Sequence, residues 1–188
     1  MKLENFDILL TGLPVVFCGI NPSVRAAATG HNFGSASNRF WRAIHLSGFT
    51  PAQLRAEDDR SILQYGCGLT AAATRATRSA ADLNKAELRG AVAAFRLKMA
   101  HFRPVTIAFL GRPAFVAITG RAQFAWGPQP DAFAGAQVWV LPNPSGLNRA
   151  FSLEQLVEAY TALRVAVASE LRAWKRRATS VERQRDHK

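Results

Sequence analysis

Short runs of consecutive apolar residues recur along the chain and alternate with stretches of helical periodicity. Three runs, at residues 14–20, 105–111 and 137–143, predict strands that are buried on both faces, and a shorter run at 65–70 predicts a fourth. Apolar strands that are separated by helices are typical of a parallel sheet covered on both sides. We therefore expect an α/β fold in three layers, α/β/α, around a short central parallel sheet.

Three segments carry a helical pattern. Residues 37–49 begin at a serine and end near a glycine, and residues 84–102 start with Asn84 as a candidate N-cap. Residues 152–177 start with Ser152 and a glutamine three residues later, which predicts a capped amphipathic helix. The apolar face of this third helix comprises Leu153, Leu156, Val157, Tyr160, Leu163, Val167, Leu171 and Trp174.

Length and composition favour one globular domain. The chain has 188 residues, 48% of them hydrophobic, which is enough to bury a core. We expect a single domain over residues 1–174 and a basic, flexible tail over 175–188. No apolar stretch approaches the roughly 20 residues of a membrane span, and the first ten residues lack the pattern of a secretory signal. These features predict a cytoplasmic protein with no membrane partner, and we expect a monomer.

The charge balance favours a polyanionic partner. Twenty-four Lys and Arg against thirteen Asp and Glu leave a formal charge of +11. The tail at 175–188 holds six basic and two acidic residues, so residues 1–174 still carry +7. Such an excess favours nucleic acid. The alternative is that the basic residues serve solubility alone.

The residue inventory excludes several common chemistries. Cys18 and Cys67 each lie in a strand-like run with no C-x-x-C pair, and the four histidines lack ligand spacing. The first strand is followed by neither a G-x-x-x-x-G-K-[ST] nor a G-x-G-x-x-G loop, and no G-x-S-x-G elbow occurs. We therefore expect no metal site, no nucleotide bound by loops of these types, and two buried apolar thiols.

Two loops that leave strands each open with Asn-Pro. One begins at Asn21 after the first strand, and the other begins at Asn143 after the last. Proline holds the preceding residue extended, so both amides take definite orientations. We expect them at the carboxyl ends of adjacent strands, where α/β folds bind ligands. An amide can bond an attacking water or a base edge, whereas Asn-Pro is also ordinary turn chemistry.

Each loop also carries a group suited to DNA. The second loop presents one apolar tip, Leu147, and one cation, Arg149. Proteins that unstack DNA insert an apolar wedge between bases, and an arginine can hold the neighbouring phosphate or base. Phe33 stands among Gly and Asn in the first loop, where an exposed ring would stack on a base. The alternative is an ordinary polar loop whose leucine packs on the following helix.

Four segments together resemble the mismatch-specific uracil/thymine DNA glycosylases of the uracil-DNA glycosylase superfamily. The main ones are FCGINP at 17–22 and LPNPSGLNR at 141–149. The segments TGHNFGSASNRFW at 29–41 and YGCGLT at 65–70 are similar to intervening parts of the family, and the similarity spans about 13–162. The resemblance implies a three-layer fold and a monofunctional glycosylase without a cofactor. It also implies duplex DNA with G·U or G·T mispairs as the partner.

The resemblance assigns roles to individual residues. Asn21 corresponds to the catalytic asparagine that orients the attacking water. Backbone groups near Ile20, together with Asn143, correspond to groups that read the uracil edge, and Phe33 to the aromatic that stacks on the flipped base. The residues that correspond to the DNA-binding wedge and its contact to the opposing guanine are Ser145, Gly146, Leu147, Asn148 and Arg149.

Three positions depart from the family pattern. Ser23 follows the first Asn-Pro where glycine is usual, and few serines follow it, so Arg25 could replace their DNA contacts electrostatically. The wedge has Asn148 where serine is commoner, and His31 stands where an aromatic is often found. These departures bear on base range and opposing-base preference.

Asp82 is the carboxylate that we consider as a second catalytic residue. It follows the fourth predicted strand, again at the carboxyl end, and could assist Asn21 as a base or as a partner of the cationic sugar. The alternative is an acid at a helix N-terminus that the dipole favours. Asp58 and Asp59 lie in a charged run that we take as surface.

Two other functions stay open. The fold also suits a non-catalytic DNA- or nucleotide-binding module, and the same site could act on a different lesion.

Overall fold

A computed structural model describes residues 6–22, 24–73 and 85–185 of the chain. It contains a five-stranded sheet in the order β2-β1-β3-β5-β4. The strands are β1 (Val15–Gly19), β2 (Cys67–Ala71), β3 (Thr106–Leu110), β4 (Gly127–Pro128) and β5 (Gln137–Leu141).

The four longer strands run parallel, as their apolar sequences predicted. Val15 of β1 lies opposite Cys67 of β2 on one side and Thr106 of β3 on the other. β5 continues the parallel order beyond β3, and β4 adds an antiparallel edge. β4 was not predicted, because two residues are too few to show any periodicity.

Helices cover both faces of the sheet. The helices are α1 (Val24–Thr29), α2 (Phe40–Leu46), a 3₁₀ helix (Ala56–Tyr65), α3 (Lys85–Phe102), α4 (Arg112–Thr119), α5 (Leu153–Ala166) and α6 (Ala168–Arg185). The sequence pattern predicted α2, α3 and α5, whereas α1, α4 and the 3₁₀ helix were not foreseen.

One core lies on each side of the sheet. On the first side the ring of Phe17 stands edge-on to Phe40 at 5.5 Å and stacks with Tyr160 at 6.1 Å. This core joins β1 to α2, α5 and the 3₁₀ helix. On the second side Phe95 and Phe109 pack with residues of α3 and α4. The three-layer α/β/α architecture is therefore confirmed.

The helix predicted over residues 152–177 is two helices. It breaks at Val167, whose φ and ψ of −101° and 19° leave the helical range. The predicted cap is confirmed: the Ser152 hydroxyl accepts from the Gln155 N–H at 3.3 Å, and the Gln155 side chain accepts from the Ser152 N–H at 2.8 Å.

The second of these helices reaches past the expected domain boundary. α6 continues to Arg185, so residues 175–185 of the expected tail are helical. Trp174 anchors α6 by donating its ring N–H to the Leu63 carbonyl at 3.1 Å. Of the helices in the described ranges, none is both long enough and apolar enough to cross a bilayer.

The sheet order reverses between β1 and β3, and α/β folds bind ligands at the carboxyl ends of such strands. After β1 the chain goes to β2 on one side and then crosses to β3 on the other, which makes this a topological switch point. The expectation that adjacent strands carry Asn21 and Asn143 is wrong, because β3 lies between β1 and β5.

Candidate active site

The two Asn-Pro turns share one edge of the sheet across the end of β3. Gly111 follows β3 with a φ of 97°, a conformation that favours glycine. A Cβ at this position would lie 2.9 Å from the Asn143 Cβ and 3.5 Å from its Nδ2. The missing side chain therefore lets the Asn143 amide lie over the end of the middle strand.

Backbone bonds fix the chain just before Asn21. The carbonyls of Gly19 and Ile20 accept from the N–H groups of Ala72 and Ala73 at 2.9 and 2.8 Å. Asn21 itself is half-buried. The Ile20 carbonyl is thus engaged by the segment after β2.

Phe33 is not the exposed, unpartnered ring that the sequence suggested. It is half-buried, and its ring stacks on Phe40 with centroids 4.0 Å apart and planes 23° apart. The edge of Trp41 approaches it at 6.4 Å. The exposure expected from the Gly- and Asn-rich loop is wrong because α2 supplies aromatic neighbours. Packing of one ring face on Phe40 holds Phe33 in a definite place.

A buried carboxylate holds the residue before Phe33. Asp59 is only 5% exposed, so its assignment to a charged surface run is wrong. Its Oδ2 accepts from the backbone N–H of Asn32 at 2.9 Å and from the Asn32 side-chain amide at 3.2 Å. The Asn32 carbonyl in turn accepts from the Trp41 ring N–H at 3.2 Å. Buried carboxylates need such partners.

We call residues 143–151 the wedge loop. Asn143 Oδ1 accepts from the Ser145 N–H, and the Asn143 carbonyl accepts from the Asn148 side-chain amide, both at 2.9 Å. Leu147 is 86% exposed at the tip, which excludes the alternative that it packs on the following helix. Arg149 is exposed beside it.

Arg39, which sequence reasoning missed, joins the wedge loop to the start of α2. Its backbone N–H donates to the Pro144 carbonyl at 2.9 Å. Its guanidinium donates to the carbonyls of Pro144 at 3.4 Å, Ser145 at 3.0 Å, Asn148 at 2.8 Å and Phe151 at 2.6 Å. An arginine at a helix start carries no signal of such contacts, because its partners lie 105–112 residues further along the chain.

Glycine permits a second contact between the same two segments. A Cβ at Gly146 would lie 2.5 Å from both the Cβ and the carbonyl oxygen of Ser37. Since real side chains do not come so close, only glycine allows the loop to lie against Ser37.

Tyr160 holds the start of the wedge loop. Its hydroxyl donates to the carbonyl of Pro142, the residue before Asn143, at 3.3 Å. Burial raises the pKa of Tyr160 far above its usual range, with the nearby Arg39 charge a smaller opposing influence. The hydroxyl therefore stays protonated and remains a donor.

The side chains of three residues named in the sequence analysis are not described. Asp82 and Ser23 lie outside the described residues, and of Arg25, in α1, only the backbone is described. Within the described ranges no three His, Cys, Asp or Glu side chains cluster as a metal site requires.

A surface cavity of about 350 Å³ lies beside the 3₁₀ helix and is lined in part by Gly30 and His31. Its lining includes the acids Glu57, Asp58 and Asp59 and neither of the two Asn-Pro asparagines. Arg60 also lines this cavity, so its lining carries charges of both signs.

Comparison with known proteins agrees with this geometry. The sequence profile of the uracil DNA glycosylase superfamily matches residues 6–164. The solution NMR structure of a candidate uracil DNA glycosylase from Methanosarcina acetivorans superposes with a TM-score of 0.55 at 20% identity, over 84% of this chain and 93% of that one. At this identity the structural match shows a shared fold alone.

Proposed function

Because the chain belongs to the uracil DNA glycosylase superfamily, which supports a DNA glycosylase function, we propose that it excises uracil from mismatched duplex DNA. Uracil opposite guanine is the main substrate in this proposal, with thymine and other modified pyrimidines as secondary ones. The observation that supports it most is the placement of Asn21 and Asn143 at one sheet edge beside a fixed loop with an exposed leucine.

The wedge loop supplies the groups for base flipping. Leu147 enters the space that the flipped base vacates, and Arg149 contacts the DNA beside it. Flipping costs a few kcal/mol and costs least at a mispair, which gives one source of selectivity for G·U over paired bases.

The flipped base lies between Phe33 and the Asn-Pro turns. One face of the Phe33 ring already packs on Phe40, so the base stacks on the remaining surface. The Asn143 Oδ1 is engaged by the Ser145 N–H, so Asn143 meets a uracil carbonyl oxygen with its Nδ2 donors.

Asn21 orients the water that attacks the sugar. As the C1′–N bond breaks, the pyrimidine leaves as an anion and the oxygen of water forms the new bond to C1′. The proton that this water loses passes to solvent, and the pyrimidine anion takes up a proton from solvent. Positive charge on the sugar and negative charge on the base are stabilised by fixed donors in a site that excludes water. An amide is not a general base at neutral pH, so the chemistry is slow. Asp82 is the second candidate group for assisting this water.

The reaction stops at base release. Neither the loop at 20–39 nor the wedge loop contains a lysine that could attack C1′. We therefore expect an abasic product with an unbroken DNA strand.

Single-turnover release of free uracil tests the proposed function. The wild-type protein is mixed with a G·U duplex, an A·U duplex and the uracil strand alone. The proposal expects fastest release from G·U. No release from any of the three would contradict the proposal and favour a binding module or a glycosylase for a different lesion. DNA binding cannot replace this assay, because all these functions bind DNA with an affinity that falls with salt.

A further inference from the structure

All three guanidinium nitrogens of Arg39 donate hydrogen bonds to the wedge loop. They donate to four backbone carbonyls, at Pro144, Ser145, Asn148 and Phe151, over distances of 2.6–3.4 Å. These donors face the protein's own backbone, so they are not available to a DNA phosphate. Arg39 therefore differs in its role from an exposed arginine such as Arg149.

Only an arginine can make this set of contacts. The guanidinium presents its N–H donors as a rigid planar fork, whereas a lysine ammonium is a single compact point. The four carbonyls come from residues spread over eight positions of the loop, 144–151. One planar group thus holds the loop backbone at four positions between 144 and 151.

The wedge loop and the base-stacking ring share one support. Arg39 immediately precedes Phe40, on which Phe33 stacks. Gly146 lies against Ser37, two residues before Arg39. The segment 37–40 therefore fixes Leu147 on one side and Phe33 on the other.

We propose that Arg39 is a positioning residue that holds the wedge loop ready to insert Leu147, and so sets the preference for duplex over single-stranded DNA. This inference rests on the proposed function. Its physical reason is that an exposed leucine on a loop of small residues enters a base stack efficiently only if the loop is already ordered. A single strand has no opposing stack to fill, so release from it does not depend on the wedge.

The first test compares Arg39→Ala and Arg39→Lys with wild type on a G·U duplex and on the uracil strand alone. Charge-assisted hydrogen bonds are lost in both variants, so we expect release from the duplex to fall roughly tenfold to a hundredfold. Release from the single strand stays at the wild-type rate. Arg42→Ala is the matched control, because Arg42 is an exposed arginine three residues further along the same helix.

A second test asks whether Arg39 acts through the wedge. In a Leu147→Ala background the further loss caused by Arg39→Ala on the duplex shrinks to near nothing, because residues that act as one unit are non-additive. Equal losses in both backgrounds would overturn the inference. Equal losses of Arg39→Ala on the duplex and on the single strand would also overturn it, because they indicate a general effect on the fold. Release from the duplex at the wild-type rate by Arg39→Ala would overturn it as well.

A third readout separates this inference from the proposed function. A 2-aminopurine placed beside the G·U pair brightens when a wedge unstacks it, whether or not uracil is released. We expect brightening with wild type and little with Arg39→Ala. If wild type releases no uracil, the proposed function fails, and this signal alone decides the inference. Equal brightening by both proteins, or none by wild type, would overturn it.

Discussion

A single buried carboxylate sets the position of the aromatic ring in the site. Asp59 accepts two hydrogen bonds from Asn32, and Asn32 precedes Phe33, whose φ of 55° lies in the left-handed region. Non-glycine residues adopt this region only when their surroundings hold them there. The bonds from Asn32 and the stacking on Phe40 supply that restraint.

Replacing Asp59 is therefore expected to affect both stability and activity. Asp59→Ala leaves the Asn32 N–H without its acceptor, which costs about 1–3 kcal/mol in the free energy of unfolding. It also loosens Phe33 and lowers uracil release. Urea unfolding and single-turnover release check this, with the exposed neighbour variant Asp58→Ala as control. Equal stability of the two variants would contradict the role given to Asp59.

The limits of sequence reasoning are also clearest at single residues. Asn21 and Leu147 could be picked out because each sits in a local pattern, after a strand or at the tip of a small-residue loop. Arg39 and Asp59 could not, because their roles depend on partners 27 to 112 residues distant in the chain. Phe33 was expected from the sequence as an exposed ring, and that exposure is wrong, since its neighbours in α2 could not be read from the loop's own sequence.

At the scale of elements, α5 controls both ends of the wedge loop. Tyr160 bonds the Pro142 carbonyl at the loop's start, and the Ser152 capping box follows Phe151 at its end. The strands and this capping box could be predicted, because apolar runs and N-caps are local signals. The break at Val167 could not, since the apolar stripe continues through it.

Removing the cap gives a prediction for the helix. Ser152→Ala removes the acceptor of the Gln155 N–H and is expected to lower the free energy of unfolding by about 1 kcal/mol. Ser169→Ala is the control, since that exposed hydroxyl bonds only the side chain of Glu170 among the described contacts. Chemical denaturation of both variants measures the difference. A loss in Ser169→Ala as large as in Ser152→Ala would argue against the capping role.

At the scale of the whole molecule, the central strands of the sheet are buried, and the two Asn-Pro turns follow strands that end on the same side of the sheet. Cys18 and Cys67 lie in β1 and β2 and are both free and fully buried. Burial raises the pKa of each thiol well above its ordinary value. The native protein therefore keeps protons that the unfolded chain loses at alkaline pH.

This difference predicts how stability changes with pH. Because the folded pKa values are raised, their contribution is intact below the pKa of about 8.5 expected for an unfolded thiol, and the free energy of unfolding falls as pH rises above it. Tyr160, whose pKa is also raised by burial, adds a loss of the same sign at higher pH. Urea unfolding across this range checks the trend. A free energy of unfolding that stays level or rises would contradict it.

Asn21 orients the attacking water in the proposed function, and one measurement tests this role. Single-turnover uracil release from a G·U duplex is compared for wild type and Asn21→Ala, with DNA binding measured in parallel. We expect Asn21→Ala to release uracil roughly a hundredfold more slowly than wild type and to keep its affinity for DNA. Release at the wild-type rate by Asn21→Ala would contradict it and move the chemistry to another group, with Asp82 the next to replace.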